Sequence, residues 1–350
     1  MNFSQLGISE GMVSSLKQNM NISEPTPVQQ KAIPFILKGQ HIMAQAKTGT
    51  GKTLAFLLPI IHRLEFKNNE ALILVPTREL AKQVEAVIKD LRNPKVKSMT
   101  IYGGVSINNQ IRKLENGVNI VVGTPGRIID LYRRKQLKFH NMKFVCLDEC
   151  DRLFDMGFAP DVKYILDSIS KSLRKNDEYQ FLLFSATLDA KIRRMVKNFT
   201  KNNFKYLNLS QDNLCVGSTL QFYYLINSYK EKFGSFLAIL RREKPQFSLV
   251  FVNTRRTANW LRNKLNYRKN LNHKIGVISG SLSQFQREKV LREFRDRRID
   301  MLIATDVAAR GLDINNISHI FNYDLPKFPE NYVHRIGRTS RMNKRGISIT

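Results

Sequence analysis

The stretch Ala46-Lys47-Thr48-Gly49-Thr50-Gly51-Lys52-Thr53 constrains this chain more than any other. It follows a short apolar run, Ile42-Met43-Ala44, and opens onto Leu54-Ala55-Phe56-Leu57-Leu58, which has the character of a buried helix. Strand, glycine-bearing loop and helix in that order are the setting of a phosphate-binding loop. Gly49 and Gly51 let backbone N–H groups turn inward toward phosphate oxygens. Lys52 supplies a point charge for the outer phosphates, and the Thr53 hydroxyl suits magnesium. A helix starting near Thr53 adds its positive dipole end. Ala46 stands where the full pattern has glycine, so the match is one residue loose.

A chain of 350 residues has room for about two domains. No apolar run approaches the ~20 residues that cross a bilayer, and the N-terminus has no signal-peptide pattern, so a soluble intracellular protein is expected, cytoplasmic or nuclear. The three cysteines, Cys146, Cys150 and Cys215, have no metal-ligand spacing and fit a reducing compartment. His41, His62, His140, His273 and His319 show no metal spacing either. Charge is more telling: 57 basic against 29 acidic residues leave +28, spread over both halves. Such a balance suits a polyanion, and nucleic acid is the commonest one.

Apolar runs of four to six residues alternate with helical patterns. Strands are expected near Ala71–Val75, Met99–Tyr102, Asn119–Val122, Phe144–Leu147, Phe181–Phe184 and Lys205–Leu209, with helices such as Glu79–Arg92 and Phe158–Ser170 between them. Runs apolar throughout belong to parallel strands covered on both faces. The alternation predicts an α/β fold with a doubly wound sheet. The polar segment 210–219 breaks it and is expected to be a linker between domains at 1–209 and 220–350. Strands then resume at Leu220–Ile226, Leu249–Val252, Ile275–Ile278, Met301–Ala304, His319–Tyr323 and Gly346–Thr350. Trp260 follows one of these strands and is expected in the core.

Phe144-Val145-Cys146-Leu147 delivers Asp148-Glu149, then Cys150-Asp151, at the end of a buried strand. Ligands sit at that edge of parallel sheets. An acidic pair there suits a magnesium-nucleotide site, Asp148 holding the ion and Glu149 orienting or deprotonating the attacking water. The loop Pro76-Thr77-Arg78 closes a strand with backbone N–H groups, a hydroxyl and a guanidinium suited to phosphate. Gly103-Gly104 and Gly126 permit close approach of backbone to a polyanion. If 335–341 is helical, Arg338 and Arg341 share one face.

With these motifs the chain resembles the DEAD-box ATP-dependent RNA helicases of superfamily two, in the family's order from Phe3 to Arg341. The resemblance implies two tandem RecA-like lobes that close on ATP, Mg²⁺ and RNA. It implies that Glu24-Pro25-Thr26-Pro27-Val28-Gln29 reads adenine through Gln29, with Phe3 the upstream aromatic. The nucleotide site then comprises Phe3, Gln29, Ala46, Thr48, Gly49, Thr50, Gly51, Lys52, Thr53 and Asp148, with Gly311, Asp313, Arg338 and Arg341 from the second lobe. Thr53 and Asp148 serve the metal. Pro76, Thr77, Arg78, Gly103, Gly104, Thr124 and Arg127 are implied as RNA contacts in the first lobe. Thr254, Arg255, Gln284, Arg287 and Thr305 are their counterparts in the second. Ser185 and Thr187 of Ser185-Ala186-Thr187 couple hydrolysis to closure together with Asp151 and Asp306. Within His334-Arg335-Ile336-Gly337-Arg338-Thr339-Ser340-Arg341, the two arginines at 338 and 341 are implied as fingers and His334 as a bridge to the acidic pair.

Four departures stand out. Cys150 replaces the alanine of the namesake tetrad, giving Asp-Glu-Cys-Asp; Ile22 replaces an aromatic beside adenine; Ser340 replaces a glycine. The chain also stops just after its last expected strand, so a second lobe cut short at its end is expected. A monomer acting on RNA without sequence preference, open to protein regulators, is the expected form. Two other functions fit the same motifs: an ATP-gated RNA clamp that seldom turns over, and a DNA translocase on related lobes.

Overall fold

The structure, a computed structural model, describes residues 1–46, 49–174, 177–209, 219–228, 230–268, 273–279, 282, 284–306, 317–326, 329–339 and 346–350. The chain divides into two compact units, Met1–Asp212 and Asn213–Thr350. Of the expected linker 210–219, residues 210–218 lie outside the described residues, and Thr219 instead begins a strand.

The first unit opens with α1 (Glu10–Met20) and α2 (Pro27–Leu37). Strands and helices then alternate: β1 (Ile42–Gln45), α3 (Lys52–His62), β2 (Ala71–Leu74), α4 (Arg78–Asp90), β3 (Ser98–Ile101), α5 (Ile107–Glu115) and β4 (Ile120–Gly123). They continue through α6 (Pro125–Arg133), β5 (Phe144–Asp148), α7 (Cys150–Asp155), α8 (Ala159–Ser172), β6 (Gln180–Ser185), α9 (Ala190–Phe199) and β7 (Lys205–Asn208). The second unit runs β8 (Thr219–Phe222), α10 (Lys232–Glu243), β9 (Ser248–Val252), α11 (Arg255–Asn266) and β10 (Ile275–Ile278). It ends with α12 (Gln284–Arg295), β11 (Met301–Thr305), β12 (His319–Asn322), α13 (Pro329–Ile336) and β13 (Gly346–Ile349).

Every ladder among the described strands is parallel. The first sheet has the order β3-β4-β2-β5-β6-β1-β7 and the second β10-β11-β9-β12-β13-β8. Among the described residues the second order is the first with each strand number raised by seven, without a counterpart of β7. Both are doubly wound sheets, as the apolar runs predict. Side-chain alternation explains why those runs are continuous. Ile42, Ala44, Ile73, Val122, Cys146 and Phe184 face one helix layer. Their neighbours Met43, Leu72, Leu74, Val121, Val145 and Leu183 face the other. The second sheet divides its residues in the same way, Val250, Ile303 and Phe321 against Leu249, Leu302 and Ile320.

Two expectations change. β8 ends at Phe222 rather than Ile226: its pairing with β13 runs to Ile349 opposite Phe222, and one further bond, from the Tyr224 N–H to the Thr350 carbonyl, follows it. Trp260 is not in the core: it is 41% exposed and meets Phe233 edge-on at 5.4 Å. Helix α11 buries Ala258, Leu261 and Leu265, and Trp260 lies off that stripe.

The core strand that leads to the site has little tolerance. Phe184 is fully buried against Phe56, ring centroids 5.4 Å apart. Phe184→Ala is expected to cost about 3–5 kcal/mol, read as a lower urea midpoint for the unfolding of the first unit.

Candidate nucleotide and RNA site

Parallel register decides what meets at the C-terminal edge of the first sheet. β6 lies between β5 and β1, with Asp148 opposite Phe184 and Gln45 opposite Ser185. The Ala46 N–H continues that ladder by donating to the Ser185 carbonyl at 2.9 Å. The loop that follows turns through Gly49 and Gly51, both in the left-handed region at φ 80° and 90°. Lys52, the first residue of α3, is buried, and its Nζ donates to the Ala46 carbonyl at 2.9 Å. Thr50 and Thr53 are half-buried. Thr48 lies outside the described residues.

Gln29 ties α2 to this loop. Its Oε1 accepts the Thr26 N–H at 2.9 Å, which makes the capping box of α2, and its Nε2 donates to the Gly51 carbonyl at 3.0 Å. A Cβ on Gly51 would sit 2.6 Å from that Nε2, so only glycine fits there. Phe3 is fully buried in the first unit's core, and Ile22 packs against the same cluster.

The acidic tetrad closes β5 and opens α7. Asp148 Oδ1 accepts the Glu149 N–H at 3.0 Å. Burial pushes the Asp148 carboxyl up to about 6, against the pull of the Lys52 charge. Glu149 holds a left-handed backbone (φ 51°, ψ 50°), and its carboxylate accepts from Arg152 Nη1 at 2.9 Å. Asp151 joins the next strand: its N–H donates to Ser185 Oγ at 3.0 Å. Its Oδ2 accepts both the N–H and the hydroxyl of Thr187, at 3.0 and 3.1 Å. Cys150 is a buried thiol whose pKa burial raises well above its ordinary value, so it is a packed side chain, not a nucleophile.

Beyond β2, β3 and β4 a second group gathers at the same edge. Thr77 Oγ1 caps α4 by accepting the Leu80 N–H at 3.2 Å, next to buried Pro76. The guanidinium of Arg78 lies where a Cβ on Gly104 would be, at φ +78°, with Gly103 beside it. Arg127 donates to the Val105 carbonyl at 3.3 Å, and Thr124 is half-buried at the start of α6. Arg78, Gly103, Gly104, Thr124 and Arg127 are therefore neighbours.

In the second unit, Thr254 and Arg255 are exposed at the start of α11, and Thr254 Oγ1 accepts the Thr257 N–H at 3.0 Å. Arg287 is half-buried on α12 and Thr305 buried at the end of β11. Asp306 receives a bidentate pair from Arg335, at 2.6 and 2.7 Å. The condition that 335–341 be helical is not met over 337–339: the helix ends at Ile336, Gly337 and Arg338 turn, and Thr339 forms a parallel bridge to Ile317. Hydrogen bonding of the Thr339 hydroxyl to the Ile317 carbonyl draws the chain out of the helix. Arg338 is buried in this turn, outside the helix. Gly311, Asp313 and Arg341, and the side chains of Gln284 and His334, lie outside the described residues.

Sequence reasoning missed Arg335 and Arg152. Arg335 is 1% exposed and also donates to Asp324 O (2.6 Å), Asn322 Oδ1 (3.3 Å) and Asn253 Oδ1 (3.3 Å). A charged side chain is expected in solvent unless paired, and no spacing in the sequence reveals these partners.

Comparison with known proteins agrees with this geometry. The DEAD/DEAH box helicase family model matches residues 26–195, and that of the helicase conserved C-terminal domain matches 231–343. The chain is 42% identical to the ATP-dependent RNA helicase CshA of Listeria monocytogenes over 99% of its length, and spans 65% of that protein. It is similar to S. cerevisiae Dbp5 solved with RNA and ADP BeF3, at 31% identity and TM-score 0.85, covering 99% of this chain and 88% of that one. A DEAD box protein from Methanococcus jannaschii is 40% identical, with TM-score 0.57, over 100% of this chain and 92% of its own. With the motifs, the two RecA-like parallel sheets and these matches in agreement, the chain belongs to the DEAD/DEAH box helicase family, as a DEAD-box protein.

Proposed function

We propose that the chain is an RNA-dependent ATPase that acts as an RNA helicase, coupling ATP hydrolysis to its grip on RNA and so separating short duplexes. The observation that carries this is the convergence of Lys52, Asp148-Glu149 and Ser185-Ala186-Thr187 at one sheet edge, joined through Asp151. Lys52 and the N–H groups of residues 48–53 hold the phosphates. Gln29 reads adenine with the second N–H and second lone pair of its amide, and buried Phe3 backs that site. Glu149 orients the attacking water. Arg338 is assigned the charge at the γ-phosphate; Gly311, Asp313, Arg341 and the side chain of His334 lie outside the described residues, and their roles remain those the resemblance implies.

The residues fit Mg²⁺. Asp148 and Thr53 are hard oxygen donors, and the charge of a cation offsets the burial that raises the Asp148 carboxyl. Among the described residues no group of three or more His, Cys, Asp or Glu is arranged to hold a metal, so the other ligands would be phosphate and water. When bound, Mg²⁺ supplies charge neutralisation at the phosphates.

The clustered Arg78, Gly103, Gly104, Thr124 and Arg127 take the RNA backbone, with Pro76 and Thr77 shaping that loop. Thr254, Arg255, Gln284, Arg287 and Thr305 contribute from the second unit, and Asp306 couples the two activities. Contacts of this kind go to phosphates and 2′-hydroxyls rather than base edges, so sequence preference should be weak. The likeness to Dbp5, solved with RNA and ADP BeF3, supports this assignment. No helix among the described residues is long and apolar enough to cross a membrane. The chain is read as a monomer, and a reducing, intracellular setting accords with the buried thiols of Cys146 and Cys150.

Lys52→Ala should abolish turnover, whereas Glu149→Gln should keep ATP bound and retain RNA in its presence; filter binding of labelled RNA with and without ATP separates the two. Equal RNA retention by both variants would contradict the assignment. Gly104→Ala should cost about 1–2 kcal/mol from its left-handed backbone. By displacing Arg78 it should also weaken RNA binding without changing ATP affinity, measured by fluorescence anisotropy at several salt concentrations. Arg338→Lys keeps the charge but loses the planar fork. With RNA present, its turnover should drop by up to about 10³-fold at unchanged ATP affinity; near wild-type turnover would remove it from the machinery.

A further inference from the structure

Arg152 is the only arginine or lysine on α7, and its placement is unusual for a cation. Its side chain is 2% exposed. It stands three residues after Glu149, the N-cap of α7, and reaches back to that residue's carboxylate: Nη1 to Oε2 is 2.9 Å. In an ordinary capping box an acidic or amide side chain at this position reaches back to the N-cap backbone. Here the charges are exchanged, and what is held is the carboxylate of the N-cap side chain. Nη2 of the same guanidinium is buried and has no hydrogen-bond partner among the described residues.

Keeping such a group costs free energy. A buried arginine is desolvated, and an unmet donor on it adds to the penalty. Glu149 carries a further cost in its left-handed backbone, a conformation that clusters where residues are over-determined by their surroundings. Cys150, Leu153 and Asp151 bury the same short helix, so the pair cannot relax into solvent. A second bond from Nη2 to the Glu149 carboxylate would complete the planar fork that guanidinium and carboxylate favour. The pair is thus built to let the carboxylate turn while remaining held.

We infer that Arg152 is the positioning residue of Glu149: it anchors the carboxylate through Nη1 and keeps Nη2 for the second oxygen as Glu149 turns to meet the attacking water. This rests on the assignment of Glu149 under the proposed function. Buried and bonded to Glu149, Arg152 acts in this reading only through that carboxylate.

The test is a double-mutant cycle on the full chain with saturating single-stranded RNA, measuring kcat and KM for ATP together with the thermal midpoint. Loss of a residue that orients a site ligand through a hydrogen bond costs about 10–100-fold in activity; Arg152→Gln should lower kcat by that factor and leave KM within about threefold. Arg152→Lys retains charge and bulk and is expected to recover part of the loss. It also serves if the glutamine variant does not fold. Glu149→Asp shortens the acid beyond the reach of Arg152 and leaves measurable turnover. In that background either Arg152 substitution should lower kcat no further, because groups acting as a unit are not additive. Multiplicative losses would overturn the inference, as would a fall in thermal midpoint with kcat unchanged. Wild-type kcat in both Arg152 variants would overturn it too. Should Glu149→Gln hydrolyse ATP at the wild-type rate, the assignment of Glu149 fails, an outcome separate from any in the cycle.

Discussion

The site depends on the parallel register of three strands, β5, β6 and β1. Parallel strands in register end together, so Asp148, Ser185 and Gln45 reach the same edge without long connections. Two bonds then extend the ladder beyond the strands: Ala46 N–H to the Ser185 carbonyl, and Asp151 N–H to Ser185 Oγ. Ser185 therefore fixes both the start of the glycine loop and the acidic turn. A shift of β6 by one residue would put Phe184 where Ser185 now stands and expose the apolar face that Phe56 covers. The apolar cores on either side of the sheet prevent that shift, so packing far from the edge sets the chemistry at it.

The two units share a strand order but not a site. β8 occupies the place of β1, and α10 that of α3. Like Lys52, Lys232 is the first residue of its helix, but its ammonium is paired with Asp324 at 2.6 Å. The segment after β8, Tyr223-Tyr224-Leu225-Ile226, has no glycine and cannot bring backbone N–H groups around a phosphate. One architecture thus carries a glycine-bearing loop in the first unit and an extended aromatic segment in the second. The second unit instead holds a buried network organised by Arg335, whose five donor contacts tie Asp306, Asn322, Asp324 and Asn253 together.

Much of this was legible beforehand, for identifiable reasons. Strands buried on both faces leave a continuous apolar trace, and Phe144–Leu147 or Met301–Ala304 have few other ways to fold. The glycine loop that opens α3 is legible because its glycines and lysine are contiguous. What escaped notice is non-local. The bonds of Arg335 run to residues 11 to 82 positions away in sequence. Gln29 reaches across 22 residues to Gly51, a link no periodicity encodes. Arg152 was hidden for another reason: a basic residue on a short helix looks solvated until the burial of α7 is known. The early end of α13 reflects a tertiary bond from Thr339 that overrides helical continuation.

The central claim is that one chain couples an ATP site built on the β5-β6-β1 edge to an RNA surface that includes Arg78 and Gly104. Steady-state ATP hydrolysis, followed while single-stranded RNA or DNA of equal length and sequence is titrated in, tests that coupling most directly. A saturable rise in turnover with RNA, and little or none with DNA, is the result the account predicts. Hydrolysis that is indifferent to RNA, or stimulated equally by DNA, would contradict it.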